Sequence, residues 1–191
     1  LFDIAPEVPG ALEVIDYMVS QGVTAGNFHT NANYEQANAG IDHGITVATH
    51  LFNVMTGLHH RDVGTFGACL LDDRVWCELI CDGMHVCNDM LKLIFRLKPH
   101  DKIMLISDSS SFEGLPKGRY FRDNEYITVN EEGFVLDENG RLNGSSKPVI
   151  YGIKNIVNNC GISLSDALRM ACYNPCMKFG LTNKGSLLPG K

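Results

Sequence analysis

The sequence predicts an α/β domain built on a parallel sheet, and three observations carry that reading. Short apolar or β-branched runs alternate with stretches of helical spacing, the pattern of βα units. The runs lack strict polar alternation, as strands covered on both faces do. Five of them arrive at residues capable of chemistry, namely Glu7, His29, His50, His85 and Asp108. Strand carboxyl ends are where active sites assemble in barrels and doubly wound sheets. A barrel is favoured over an open sheet, whose single crevice rarely gathers polar residues from so many successive strands.

The elements follow in order. Residues 1–4 form a short strand ending at Ala5-Pro6-Glu7. Ala11, Leu12, Val14, Ile15, Met18 and Val19 recur at helical spacing, and Gly22 ends that helix. Residues 23–26 are a strand arriving at Asn27-Phe28-His29, and a second helix through 34–39 has Thr30 or Asn31 as its cap and Gly40 as its close. Residues 45–49 are a β-branched strand reaching His50, and a loop containing Gly and His fills 56–67. Residues 75–81 are a strand arriving at Asp82-Gly83-Met84-His85, 88–97 a helix, and 102–106 a strand reaching Ser107-Asp108. Beyond Phe112 the pattern changes: 114–118 is a turn-rich loop, 126–129 and 134–136 pair as a hairpin, and 142–145 is a tight loop. A helix then places Val149, Ile150, Ile153, Ile156 and Val157 on one face. Ser163 with Asp166 resembles a capping box opening a helix to Met170 or beyond. The last residues, 185–191, read as a turn.

Composition excludes several classes. Across 191 residues the chain is 45% apolar and 20% charged, an ordinary folded balance that disorder does not produce. With 16 Lys and Arg against 22 Asp and Glu, a net charge of −6 and no basic run, it lacks the footprint of a nucleic-acid binder. No apolar stretch approaches the roughly 20 residues a membrane span needs. The seven cysteines, with no C-x-x-C among them, fit free thiols buried as small hydrophobes in a reducing, cytoplasmic compartment.

Several residues suit chemistry. His29 and His50 come from successive strand ends, and two imidazoles at one mouth suit Zn²⁺ or Fe²⁺, although each also reads as an ordinary polar residue. Asp108 follows an apolar run and reads as a proton shuttle for a metal-bound water, or as a turn-starting residue. His85 is placed to polarise a carbonyl, or to sit in a solvated loop. Arg61 suits bidentate anion binding, whereas the adjacent His59 and His60 rarely converge on one ion.

Taken in order, the motifs resemble one family. They are Ala-Pro-Glu7, the strand to His29, Ala-Thr-His50-Leu-Phe-Asn53-Val-Met, Arg61-Asp-Val-Gly, Asp82-Gly-Met-His85, Ser107-Asp108, Leu142-Asn-Gly-Ser145, Asn174-Pro175 and a closing Gly-x-Leu-x-Pro-Gly190. The chain resembles, end to end, the N-acetylglucosamine-6-phosphate deacetylases of the amidohydrolase superfamily. The resemblance implies a (β/α)₈ TIM-type barrel with a small β-sandwich made from both chain ends. It also implies hydrolysis of N-acetylglucosamine 6-phosphate to glucosamine 6-phosphate and acetate.

It further implies a divalent metal, Zn or Fe, held by His29 and His50, with Asp108 as catalytic acid/base and His85 on the substrate amide. Asn53, Val54, Asp82, Gly83, Met84, Leu142, Asn143 and Gly144 would touch the substrate. Arg61 would bind its phosphate, in a neighbouring subunit's site if the family's dimers hold here. Asn27-Phe28-His29-Thr30 stands where Gly-His-Ser is usual, Ser109-Ser110 where Ala-Thr is, and Lys147-Pro148 interrupts the usual Ser-Leu-Thr.

The family's third ligand is a glutamate in a Leu-Glu-Gly-Pro segment that this sequence does not contain. Whole barrels take about 250 residues, so residues 1–191 are expected to be one catalytic barrel domain incomplete at its N-terminus. About five of eight strands would be present and most of the sandwich absent. Two other readings stay open: an amidohydrolase acting on a different N-acyl or cyclic amide, and a catalytically inactive sugar-phosphate-binding fragment.

Overall fold

A computed structural model describes residues 1–189. Strands β1 (Phe2–Ile4), β2 (Ala25–Asn27), β3 (Ile45–Ala48), β4 (Trp76–Ile80) and β5 (Ile103–Ile106) form one sheet. It is parallel throughout and ordered as in the sequence, β1-β2-β3-β4-β5. Four helices connect them: α1 (Ala11–Ser20), α2 (Tyr34–Asp42), α3 (Gly64–Leu71) and α4 (Asn88–Leu97). The expected α/β alternation is therefore present in the order read from the sequence.

The main core lies between these strands and helices. Leu51, Phe66, Leu79, Leu91, Ile94 and Ile103 are all fully buried in it. Strand β5 reads as a continuous apolar run, and β4 as one interrupted only by Glu78, because both their faces are covered. A second cluster, Ile15, Met18, Ala25 and Ile45, seats α1 on the sheet. Helix α4 shows the spacing rule plainly, with Leu91, Ile94 and Phe95 inward and charged residues outward.

After β5 the chain forms a separate four-stranded antiparallel sheet, β6 (Gly118–Arg122), β7 (Glu125–Val129), β8 (Phe134–Leu136) and β9 (Leu142–Ser145). Its small core is Phe112, Ile127, Val129 and Val135. Helix α5 (Val149–Asn159) returns to the main core. Helix α6 (Leu164–Leu168), a π-helical stretch (Arg169–Tyr173) and α7 (Asn174–Lys178) then run on without a break.

The structure corrects several expectations. The 56–67 loop ends early, because α3 begins at Gly64; every residue of this helix up to Leu70 is buried, so it carries no polar face for the pattern to reveal. Helix α2 runs through Gly40 to Asp42, and its cap is Asn33 in a capping box with Gln36. Gly40 is there for proximity, since a Cβ would lie 2.8 Å from Pro6 and 2.9 Å from Ile45. Strand β6 is an exposed edge bearing Arg119 and Arg122, and β9 has a turn-like sequence that becomes a strand only by pairing with β8.

Ile150 faces solvent, because the packing face of α5 centres on Gly152, Ile153 and Ile156. Ser163 caps α6 by accepting from the Asp166 amide at 3.0 Å, but donates its own hydroxyl to the Asp166 carboxylate in place of the reciprocal backbone bond. Among the described residues the cysteines are unpaired. Cys69, Cys77 and Cys81 are buried as expected, whereas Cys87 and Cys172 are exposed. Gly190, the end of the closing motif, lies outside the described residues.

One buried cation organises the helix ends. Lys98 is 1% exposed, and its Nζ donates to the carbonyls of Cys69 at 2.9 Å and Asp72 at 2.7 Å. It thereby satisfies acceptors that the end of α3 leaves open. Lys98→Met keeps much of the stem but strands both carbonyls. Urea unfolding should show a loss of about 1–3 kcal/mol with an unchanged m-value.

Candidate active site

The carboxyl ends of β2, β3 and β5, with the loop after β4, open on one cavity of about 460 Å³, within the usual range for small-molecule sites. Phe28, His29, His50, Asn53, Val54, His85 and Asp108 line it from these ends, and Leu142, Asn143 and Gly144 close over it from β9. His29, His50, Val54 and Asp108 all have positive φ, at 42°, 36°, 50° and 49°. Non-glycine residues pay for that conformation, and it breaks the strand pleat just where side chains must turn toward a shared space.

The two histidines after β2 and β3 have ring centroids 5.0 Å apart. His50 is 4% exposed, and its Nδ1 is buried without a hydrogen-bond partner. Burial pulls its pKa below the ordinary value, which favours the neutral imidazole a metal requires. Among the described residues no group of three or more His, Cys, Asp or Glu converges as a metal shell.

His85 is fixed from behind. Its Nδ1 lies 2.8 Å from Asp82 Oδ2, while Nε2 is buried without a partner. Asp82 also accepts from the amides of Met84 at 2.8 Å and His85 at 2.9 Å and from Ser145 Oγ at 3.3 Å. Burial opposes ionisation of this carboxyl, but the hydrogen bonds from the His85 ring and the two amides prevail and hold its pKa below the usual range. Asp82, Gly83 and Met84, expected at the substrate, form the turn that carries His85. Their neighbour His85 lines the cavity, while the Asp82 carboxylate points into the His85 side chain and the turn that follows it.

Asp108 is tied to the second sheet. Its carbonyl accepts from the Ser145 amide at 2.8 Å, and the Ser110 amide donates to the Ser145 carbonyl at 2.9 Å. This pairing brings Leu142–Ser145 over the cavity. It requires glycine at 144, where φ is +74° and a Cβ would stand 3.1 Å from the Asp108 carbonyl.

Two predicted residues lie elsewhere. Arg61 lines a different pocket, with His59, His60, Asn33, Tyr34 and Glu35. Glu7 accepts from Thr30 Oγ1 at 2.5 Å and from the Asn31 amide at 2.6 Å, so it clasps the loop after β2. The sequence reading missed Ser109, Ser110 and Asp137, which line the cavity, and Glu78. Burial first, then the Asp3 and Asp108 carboxylates, pushes the Glu78 carboxyl up to about 7. A carboxylate in the middle of an otherwise apolar strand was the available signal.

A parallel sheet with histidines and an aspartate at its strand ends is a layout that metal-dependent hydrolases share. The chain belongs to the amidohydrolase family, whose sequence profile matches residues 23–191. Members of that family generally use a divalent metal.

An N-acetylglucosamine-6-phosphate deacetylase of Lysinibacillus sphaericus is 34% identical over 98% of the chain and 48% of its own length. An N-acetylgalactosamine-6-phosphate deacetylase of Escherichia coli O157:H7 is 37% identical over 98% of the chain and 50% of its own length. A Mycobacterium smegmatis N-acetyl-D-glucosamine-6-phosphate deacetylase variant, solved with N-acetyl-D-glucosamine-6-phosphate, superposes with a TM-score of 0.91 at 34% identity. That superposition covers 99% of this chain and 51% of the other. The chain thus spans about half the length of the curated relatives it matches.

The Asp82 geometry has a pH consequence. Its pKa is lower folded than unfolded, so its contribution is fully present above the unfolded value near ~4 and is lost as pH falls through the folded one. Asp82→Asn should lower stability at pH 6 and flatten the acid limb below about pH 4, read by urea midpoints across that range.

Proposed function

We propose that the complete protein hydrolyses the acetamide of N-acetylglucosamine 6-phosphate to glucosamine 6-phosphate and acetate. The observation that carries this reading is the single cavity shared by His29, His50, His85, Asp108 and the β9 segment. In the same reading residues 1–191 supply five strands of a (β/α)₈ barrel, the remainder coming from sequence beyond this chain. The sequential parallel order β1-β2-β3-β4-β5 supports that arrangement.

His29 and His50 would hold the divalent ion, Zn or Fe, and the unpartnered Nδ1 of a neutral, buried His50 fits that use. A glutamate outside this sequence would complete the shell. When bound, such an ion acidifies water toward neutrality and polarises a carbonyl.

Asp108 accepts a proton from the attacking water as the oxygen–carbon bond forms. His85, held at Nδ1 by Asp82, presents its unpartnered Nε2 to the acyl oxygen, where negative charge develops. Asp108 then delivers its proton to the sugar nitrogen as the carbon–nitrogen bond breaks. Asn53, Val54, Leu142, Asn143 and Gly144 border the same cavity and orient the sugar. Arg61 does not line this cavity, and in this reading it serves the phosphate of a second copy's site in a homodimer. Free thiols support a reducing, cytoplasmic setting. Among the described residues, no helix is long and apolar enough to cross a membrane.

A second reading is the galacto epimer as substrate, favoured by the Escherichia coli O157:H7 relative. The epimers are separated by comparing kcat/KM for both 6-phosphates.

In the full-length protein, Asp108→Asn should lower kcat by about 10²–10⁴ with little change in KM, and normal turnover would end this assignment. Arg61→Ala should raise KM for the phosphorylated sugar about tenfold or more, yet leave the unphosphorylated sugar unchanged.

A further inference from the structure

An imidazole that binds a metal is ordinarily held by a hydrogen bond from its other ring nitrogen, which fixes the ring plane. His29 is exposed, and among the described residues no hydrogen bond involves its ring. What lies against it is Phe28, with ring centroids 3.7 Å apart and planes within 16° of parallel. The Phe28 ring also sits 4.8 Å from His50, tilted by 48°. One half-buried phenyl thus touches both imidazoles and faces the cavity they share with His85 and Asp108.

We infer that Phe28 is the positioning residue for His29 and the apolar wall that limits the acyl group; the second half of this inference rests on the deacylation reading above. The first half follows from the stack. A flat aromatic face removes the rotamers that an exposed imidazole otherwise samples, so His29 meets an ion already oriented. The second half follows from location. The carbon under attack must lie within reach of the ion and of Asp108, and a ring in contact with both imidazoles bounds the space beside it. A methyl fits that space, and a longer acyl chain meets the ring.

The test uses the full-length protein with Phe28→Ala, Phe28→Leu and Phe28→Tyr, each checked for native circular dichroism. Cobalt(II) affinity, followed by the d–d absorption of the bound ion, should fall about tenfold in the Ala and Leu variants and stay within about twofold in Tyr. The kcat/KM ratio of N-acetyl over N-butyryl glucosamine 6-phosphate should fall about tenfold in Ala only, since Leu and Tyr keep most of the bulk. Wild-type cobalt affinity in both Ala and Leu overturns the positioning role, and an unchanged ratio in Ala overturns the wall. If the wild-type protein hydrolyses neither sugar, the deacylation reading and the wall fall together, while the cobalt series still decides the positioning role.

Discussion

Ser145 holds the candidate site together. Its amide donates to the Asp108 carbonyl, its carbonyl accepts from Ser110, and its hydroxyl reaches Asp82, which in turn grips His85. A single residue, 1% exposed, therefore links the end of β5, the loop after β4 and the second sheet. Without that link the Asp108 backbone has no partner strand, and Leu142–Ser145 has no reason to lie over the cavity. The positive φ values of His29, His50 and Asp108 belong to the same design. Each costs about 1–3 kcal/mol and persists because surrounding pairing over-determines it.

Electrostatics divide the site into two environments. On the Asp82 side, a dense set of donors keeps a buried carboxylate charged. On the Glu78 side, burial and neighbouring carboxylates favour the protonated form. Two acids at similar depth are thus shifted in opposite directions, because one is supplied with donors and the other with burial and like charge.

Much of this was legible in the sequence. The alternation of strands and helices, helix α4 and the β7–β8 hairpin followed from apolar periodicity and turn residues, and the histidines and Asp108 followed from their positions after apolar runs. What stayed hidden depends on tertiary contact. Helix α3 is buried all round, so amphipathicity had nothing to report. Strand β9 reads Leu-Asn-Gly-Ser and extends only through its partners β8 and the end of β5. Asp82 was read with the site by resemblance, and no pattern in the sequence shows that its carboxylate grips His85. Arg61 was read with the site by motif, and no periodicity places a loop residue in a different pocket.

The sequential order of the parallel sheet also bears on how the chain folds. Each strand pairs with the one made just before it, so no strand has to insert between two that are already joined. Each pairing nevertheless closes a crossover that contains a helix, so loop closure precedes the contacts that reward it and parallel pairing is slow, even though growth from one end lets a nascent chain add one βα unit at a time. Among the described residues, the outer edges of β1 and β5 have no strand beside them. Such edges are templates for pairing, and until they are covered the same backbone groups that extend the sheet can recruit a second chain. Slow pairing and a hazard of aggregation are thus two results of one topology.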